Sequence, residues 1–353
     1  MPPRKTSRPP PYAARNQSGG IAIPPALKNL LRSRAGRLIV GGVLGFFVLI
    51  WMLSGSGGTS RRTASKVGGW TAANIPKPAI GSGPPVVVIT TIDPKADPVW
   101  TQKIKSNREE YAKKHGMPEL SLPTHCDIRA KGHTNPIPGY LTFFPTADQY
   151  PIGNSPATWS RVPGTRHAMT LYPTSTFFWY LDATALIMNT ALPIHTHLLT
   201  PAKLETHMIT NAPVVPPDSV IKTFSNLKGD RIDFVVTQDK DGLAPSSFVV
   251  RNGEWAKFFL DAWFDPIYRS YNFQKAESHA LEHIVQWHGT ILAKLAMVPQ
   301  NLLNAYATGP ASPKDGQFTE GDLVANFPGC DKDGRDCAKE QEQFWAILEQ
   351  GKN

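Results

Sequence analysis

The sequence predicts an α/β protein, a Rossmann-like and mostly parallel sheet flanked by helices, carried behind one N-terminal transmembrane helix. Three observations predict it. A charge-free apolar run at residues 38–53 follows a basic tail. The uninterrupted apolar stretch from Pro84 ends in turn residues at Asp93, as a strand buried on both faces of a parallel sheet does. Capped helical patterns then alternate with short apolar runs, and strand–helix–strand alternation implies right-handed crossovers.

Composition supports a folded body. Of 353 residues 41% are hydrophobic and 18% charged, which excludes disorder for most of the chain. The formal charge of +9 is misleading until located. Residues 1–66 hold eleven Lys/Arg and no Asp or Glu, leaving 26 basic against 28 acidic residues in the rest. The body is near neutral, so a cationic groove for nucleic acid is not expected.

The sixteen residues 38–53 make about 24 Å of helix, short of the ~30 Å average hydrocarbon core but suited to a thinner early-secretory membrane. A cleaved signal peptide and a buried helix compete with this reading. The long Pro- and Arg-rich segment ahead of the run speaks against the first, and Gly41, Gly42 and Gly45 against the second. Eight positive charges precede the run and three follow it, which keeps residues 1–37 cytoplasmic. Residues 54–83 read as a Gly/Ser/Pro-rich stem, and 84–353 as the lumenal domain of a single-pass type II protein.

In the body, Asp97 caps a helix running to His115, with Trp100, Ile104 and Tyr111 inward and Gly116 closing it. Residues 140–144 and 176–182 read as strands, with a helix over 159–172 between them. Residues 233–237 and 246–250 are further strands, the second feeding a helix over 253–264. Residues 277–296 read as one long amphipathic helix, 322–327 as a last strand, and a helix follows Cys337. Residues 117–138 do not fit: Pro-rich and aperiodic, they separate a capped helix from its strand.

The chemistry concentrates at strand ends. Asp93 and Asp182 each close an apolar strand, the place where α/β sheets bind ligands. A carboxylate there can hold a divalent cation bridging a sugar-nucleotide diphosphate; it can equally be a turn former. His279-x-x-Glu282-His283 matches an inverted zincin pattern, although two half-buried imidazoles on a helix are the commoner origin of that spacing. Cys330 and Cys337 could bridge a loop in an oxidising lumen, which leaves Cys126 odd.

Five ordered blocks carry a resemblance. They are Trp159-Ser-Arg161-Val-Pro with Arg166-His-Ala-Met, Trp179-Tyr-Leu-Asp182 with Ala185-Leu-Ile-Met-Asn189, Ser247-Phe-Val-Val-Arg251-Asn-Gly-Glu254-Trp255, Ala280-Leu-Glu-His-Ile-Val-Gln286, and Gly321-Asp322-Leu-Val with Asn326-Phe-Pro-Gly329-Cys330. Together they resemble glycosyltransferase family 34, the fungal galactosyl/α-1,6-mannosyltransferase family, and within it the Golgi mannan polymerase subunits. The resemblance implies a GT-A fold, a Golgi type II membrane protein, a GDP-mannose donor, retaining transfer to the mannan of N-glycans, and assembly with other mannosyltransferase subunits. It implies donor-binding roles for Asp182, Thr184, Asn326, Gly329 and Lys332, and catalytic candidates Glu254, Asp239 and Asp241.

Family members bind manganese (Mn2+) through Asp-x-Asp and a His in a His-Phe-x-Gly-Cys block. Here Asp182 remains, but Thr184 and Asn326 stand at the other two positions, leaving Asp182 as the one metal ligand of a weak site. A non-catalytic subunit is therefore expected beside the catalytic reading. Relatives also run from Lys-x-His-Gly straight into Tyr-x-Thr-Phe-Phe-Pro. Residues 117–139 thus read as a retained intron, whose removal would delete Cys126.

Overall fold

Four consecutive aliphatic residues, β1 (Val86–Ile89), are completely buried. They lie in a six-stranded sheet of order β2-β1-β3-β6-β5-β7 within the computed structural model, which describes residues 80–115, 139–215, 219–309, 311–332 and 334–351. All of these fall in one unit, Pro76–Asn353. The expected tail and anchor, the stem up to residue 79, Gly116 and residues 117–138 lie outside the described residues. Among the described residues no helix is long and apolar enough to cross a membrane.

Around β1 the sheet grows as the alternation predicts. Asp97 caps α1 (Pro98–Lys114), its carboxylate accepting from the Trp100 N–H at 2.7 Å, with Pro98 in the first turn and Lys113 and Lys114 in the last. The chain returns as β2 (Leu141–Phe143), parallel to β1. A 3-10 turn leads into α2 (Arg161–Leu171), and β3 (Phe177–Leu181) pairs parallel with β1 on its other side. After a sharp turn β4 (Ala185–Ile187) leaves the main sheet.

The second half introduces one reversal. β5 (Phe234–Gln238) and β6 (Leu243–Arg251) are joined by residues 239–242 alone. A parallel crossover needs a dozen or more residues, so the pair must be a hairpin. β6 consequently runs antiparallel to both β5 and β3. Its first residues, not its last, lie at the edge where β3 and β5 end, with Ser247 opposite Leu181 and Leu243 opposite Gln238. Helix α3 (Glu254–Trp263) follows β6.

The long helix expected over 277–296 is corrected. Helix α4 (Ala276–Trp287) stops at His288-Gly289, and a single helical turn separates it from β7 (Leu295–Val298), which pairs parallel with β5. The run from Leu292 to Val298 suits either helix or strand by composition. All four β7 residues are buried, and pairing with β5 decides between them. The last expected strand exists as β9 (Val324–Asn326), but in a separate three-stranded sheet, antiparallel to β4 and parallel to β8 (Ala305–Tyr306). Helix α5 (Glu342–Gln350) closes the described chain.

Period-2 alternation sends the two sheet faces into different cores. Val87, Ile89, Phe178, Tyr180, Phe248 and Val250 pack with Val162, Phe259, Trp263 and Leu281 from α2, α3 and α4. Val86, Val88, Trp179, Leu181 and Val249 face the other way with Tyr111 of α1.

The flanks of the 117–139 segment meet in this second core. Tyr140 and Tyr111 are both buried, and the rings of His115 and Tyr140 lie 5.3 Å apart. A chain lacking residues 117–139 is therefore expected to unfold cooperatively within about 5 °C of the parent Tm, since no described core residue is lost. Failure of the deleted chain to give a cooperative melt by circular dichroism would show that the segment belongs to the fold.

Candidate functional site

Asp182 is held from behind before anything holds it from in front. Where β3 ends, the Asp182 N–H donates to the Ser246 carbonyl at 2.8 Å. Arg108 of α1, fully buried, donates from Nη2 to the carbonyls of Asp182 at 2.8 Å and Ala185 at 2.6 Å. Its neighbour Asn107 donates to the Ile187 carbonyl at 3.0 Å and accepts from the Ile187 N–H at 2.9 Å. Burial pushes the Arg108 guanidinium down to about 9, with Asp182 opposing, so it stays charged at neutral pH. The turn between β3 and β4 is thus bolted to α1.

In front of the turn opens a cleft of about 1060 Å³. Arg161, the first residue of α2, crosses its floor. Nη2 lies 2.8 Å from Asp182 Oδ2, and Nη1 lies 3.1 Å from Glu277 Oε1. The Arg161 and Glu277 side chains are 6% and 3% exposed, and Asp182 is 22% exposed towards the cleft. The Thr158 hydroxyl donates to the second Glu277 oxygen at 2.6 Å, and the Ala183 N–H to Asp182 Oδ1 at 3.0 Å. Burial alone would lower the Arg161 guanidinium; Glu277 and Asp182 together outweigh it and hold it above its ordinary value. Burial raises the Tyr180 phenol, whose oxygen lies 2.8 Å from the Thr91 hydroxyl.

The β5–β6 turn forms another wall. Asp239 Oδ1 accepts from the N–H groups of Asp241 and Gly242 at 2.8 and 3.0 Å, and Oδ2 accepts from the Tyr306 hydroxyl at 2.9 Å. Gly242 has φ +148°, and a Cβ there would stand 1.8 Å from Glu282 Oε1. Glycine suits this left-handed backbone, and a side chain there would displace the Glu282 carboxylate. Glu282 Oε1 accepts from the Leu243 N–H at 3.2 Å, and Lys275, 3.9 Å from that carboxylate, also donates to the Asp241 carbonyl. Burial raises both the Asp239 and the Glu282 carboxyls.

The loop closed by the Cys330–Cys337 disulfide also lines the cleft. It presents the exposed Lys332, and Gly329, at φ +74°, lines the cleft just ahead of it. Closing so short a loop restrains the unfolded chain by roughly 2–3 kcal/mol. Arg335 spans the loop to Glu340 at 2.6 Å and the Pro328 carbonyl at 2.9 Å.

Of the sequence candidates, Asp182, Thr184, Asp239, Asp241, Gly329 and Lys332 line the cleft. Glu254 does not, and is corrected. It starts α3 beyond the last residue of β6, its side chain is 82% exposed, and it pairs with Lys257 at 3.0 Å. The reason is the reversal of β6, which carries that strand's carboxyl end to the edge opposite Asp182. Asn326 does not line the cleft either. It is completely buried, accepting from the Thr184 hydroxyl at 2.8 Å and donating to Ser246 Oγ and Asn304 Oδ1 at 2.9 Å each.

A divalent cation is poorly served by this donor set. Thr184 and Asn326 are spent on each other, both Asp182 oxygens are engaged, and no group of three His, Cys, Asp or Glu side chains gathers among the described residues. Sequence reasoning missed the roles of Arg161, Glu277, Tyr306 and Glu282. Arg161 and Glu282 stood inside the noticed blocks, but nothing in their spacing told which face they would turn to the cleft. His279 and His283 instead pack on Phe273, with ring centroids 4.7 and 6.2 Å away.

Comparison with known proteins places this geometry in context. A family model described as the galactosyl transferase GMA12/MNN10 family matches residues 82–338. The chain is 31% identical, over 66% of its length and 63% of the relative's, to an uncharacterized alpha-1,2-galactosyltransferase of Schizosaccharomyces pombe. It is 30% identical, over 73% of its length and 60% of the relative's, to the probable alpha-1,6-mannosyltransferase MNN11 of Saccharomyces cerevisiae. The chain thus spans about 60% of the length of these curated relatives. Among solved structures, a glycosyltransferase involved in glycosylation of the major capsid of PBCV-1 is similar at a TM-score of 0.47 and 13% identity, over 74% of this chain and 100% of that one.

The two raised carboxyls make stability depend on pH. Since Asp239 and Glu282 bind protons more tightly folded than unfolded, stability falls as pH rises out of the ordinary carboxylate range and stays lower above the raised values. Asp239→Asn with Glu282→Gln is expected to flatten that fall, read as urea midpoints from about pH 4 to about pH 7. An unchanged pH slope in the double variant would contradict the assignment.

Proposed function

The chain belongs to the galactosyl transferase GMA12/MNN10 family, and from that premise we propose that it is an α-1,6-mannosyltransferase subunit of the Golgi membrane. It takes mannose from GDP-mannose, transfers it with retention to the mannan of N-glycans, and works in a hetero-oligomer with other mannosyltransferase subunits. The proposed architecture is GT-A, behind a type II signal anchor at residues 38–53. The observation carrying the reading is Asp182, set by Arg108 at the end of an interior strand on the rim of a cleft of about 1060 Å³.

Chemically, transfer leaves charge on the departing diphosphate, and cations fixed at that point lower the barrier. Lys332, exposed on the disulfide-restrained loop, lines the cleft together with Asp182. Asp239 and Asp241 line it too and offer carboxylates for sugar hydroxyls.

A second reading has its own observation. Asp182 is already ion-paired to Arg161, and its neighbour Thr184 is tied to Asn326, an arrangement suited to a non-catalytic subunit that positions acceptor for a catalytic partner.

The full-length chain, incubated with GDP-mannose and an α-1,6-linked mannan acceptor, is expected to transfer mannose, and Asp182→Asn is expected to lower kcat/KM by about 10²-fold. Transfer from UDP-galactose in place of GDP-mannose overturns the donor assignment. Transfer only with partner subunits present, indifferent to Asp182→Asn, establishes the non-catalytic reading instead.

A further inference from the structure

We propose that this cleft binds its nucleoside diphosphate without a divalent cation, the Asp182 carboxylate being ion-paired to the buried Arg161 guanidinium instead. The inference rests on the reading of the cleft as a sugar-nucleotide site, and goes beyond it by specifying how the charge there is balanced.

The argument starts from the three positions where a metal would be held. Asp182 contributes one carboxylate, and both of its oxygens already accept hydrogen bonds, from Arg161 at 2.8 Å and from the Ala183 N–H at 3.0 Å. Thr184 gives its hydroxyl proton to Asn326 at 2.8 Å. Asn326 in turn donates to Ser246 and Asn304, and is completely buried. Turning this completely buried side chain towards a metal would break three hydrogen bonds, which is costly. A hydroxyl and an amide also lack the charge that supplies much of a divalent site's affinity.

A built-in cation occupies the space between the carboxylates instead. Arg161 bridges Asp182 and Glu277, so the two acidic groups nearest the turn share one guanidinium. Glu277 is further fixed by Thr158 at 2.6 Å. With Arg161 between them both carboxylates are already ion-paired, and a divalent ion could take Asp182 only by displacing that pair. Diphosphate charge is met by Lys332, exposed on the same cleft.

Linkage makes the proposal measurable. If the nucleotide needs no metal, added metal does not tighten its binding. Calorimetric titration of the full-length chain with GDP is expected to give a dissociation constant in MnCl2 no tighter than the one in EDTA, the sequestering of GDP by Mn2+ in solution tending only to weaken it. In electron paramagnetic resonance, Mn2+ added to the nucleotide-free chain is expected to stay free. Arg161→Gln releases two neighbouring carboxylates, and is expected to acquire stoichiometric Mn2+ binding that the parent chain lacks.

An affinity for GDP at least about tenfold higher with manganese, or one Mn2+ bound per parent chain, overturns this inference while leaving the glycosyltransferase reading intact. No binding of GDP or UDP under either condition overturns both. The parent-chain titration decides the matter even if Arg161→Gln fails to fold.

Discussion

Two buried arginines fix the one carboxylate around which the site is organised. Arg108 grips the backbone of the Asp182 turn from the sheet side, and Arg161 grips its side chain from the cleft side. A buried guanidinium is expensive unless its donors are satisfied. Arg108 is offset by two carbonyls and Asn107, and Arg161 by two carboxylates. Each arginine therefore requires its partners as much as they require it. The turn has little freedom to relax, because moving Asp182 would strand both charges. This is preorganisation of the kind that makes a strand end into a site.

The reversal of β6 determines what surrounds that carboxylate. A four-residue hairpin delivers Asp239, Asp241 and Gly242 to the carboxyl edge of β3 and β5, and brings β6 in with its Ser246 beside Asp182. Gly242 lets α4 close over the hairpin so that Glu282 reaches the Leu243 N–H. The same reversal removes Glu254 to the far edge. One short connection thus sorts two carboxylates into the cleft wall and one out of it.

Thr184 and Ser246, which line the cleft, join the buried Asn326 and Asn304 in a polar layer. It joins the main sheet to the small sheet of β4, β9 and β8, and its bonds are mutual rather than directed at a ligand. Neutral partners that satisfy one another stabilise the junction without presenting charge. The electrostatics of the cleft are accordingly carried by groups above this layer, Arg161 with its two carboxylates and the lysines of the walls.

The primary structure by itself determined the strand and helix alternation, the capped α1, the buried runs of β1 and β3 and the position of Asp182 at a strand end, because these rest on local periodicity and capping chemistry. The pairing of Cys330 with Cys337 was within reach for the same reason, the two being seven residues apart. Tertiary structure alone decided that Leu295–Val298 is a strand, since a short apolar run takes the conformation of whatever it pairs with. It alone turned Asp182 and Glu277 towards Arg161, and buried Asn326 against Thr184. Those contacts join residues 21 to 142 positions apart, and no periodicity encodes which partner a side chain meets across such a distance.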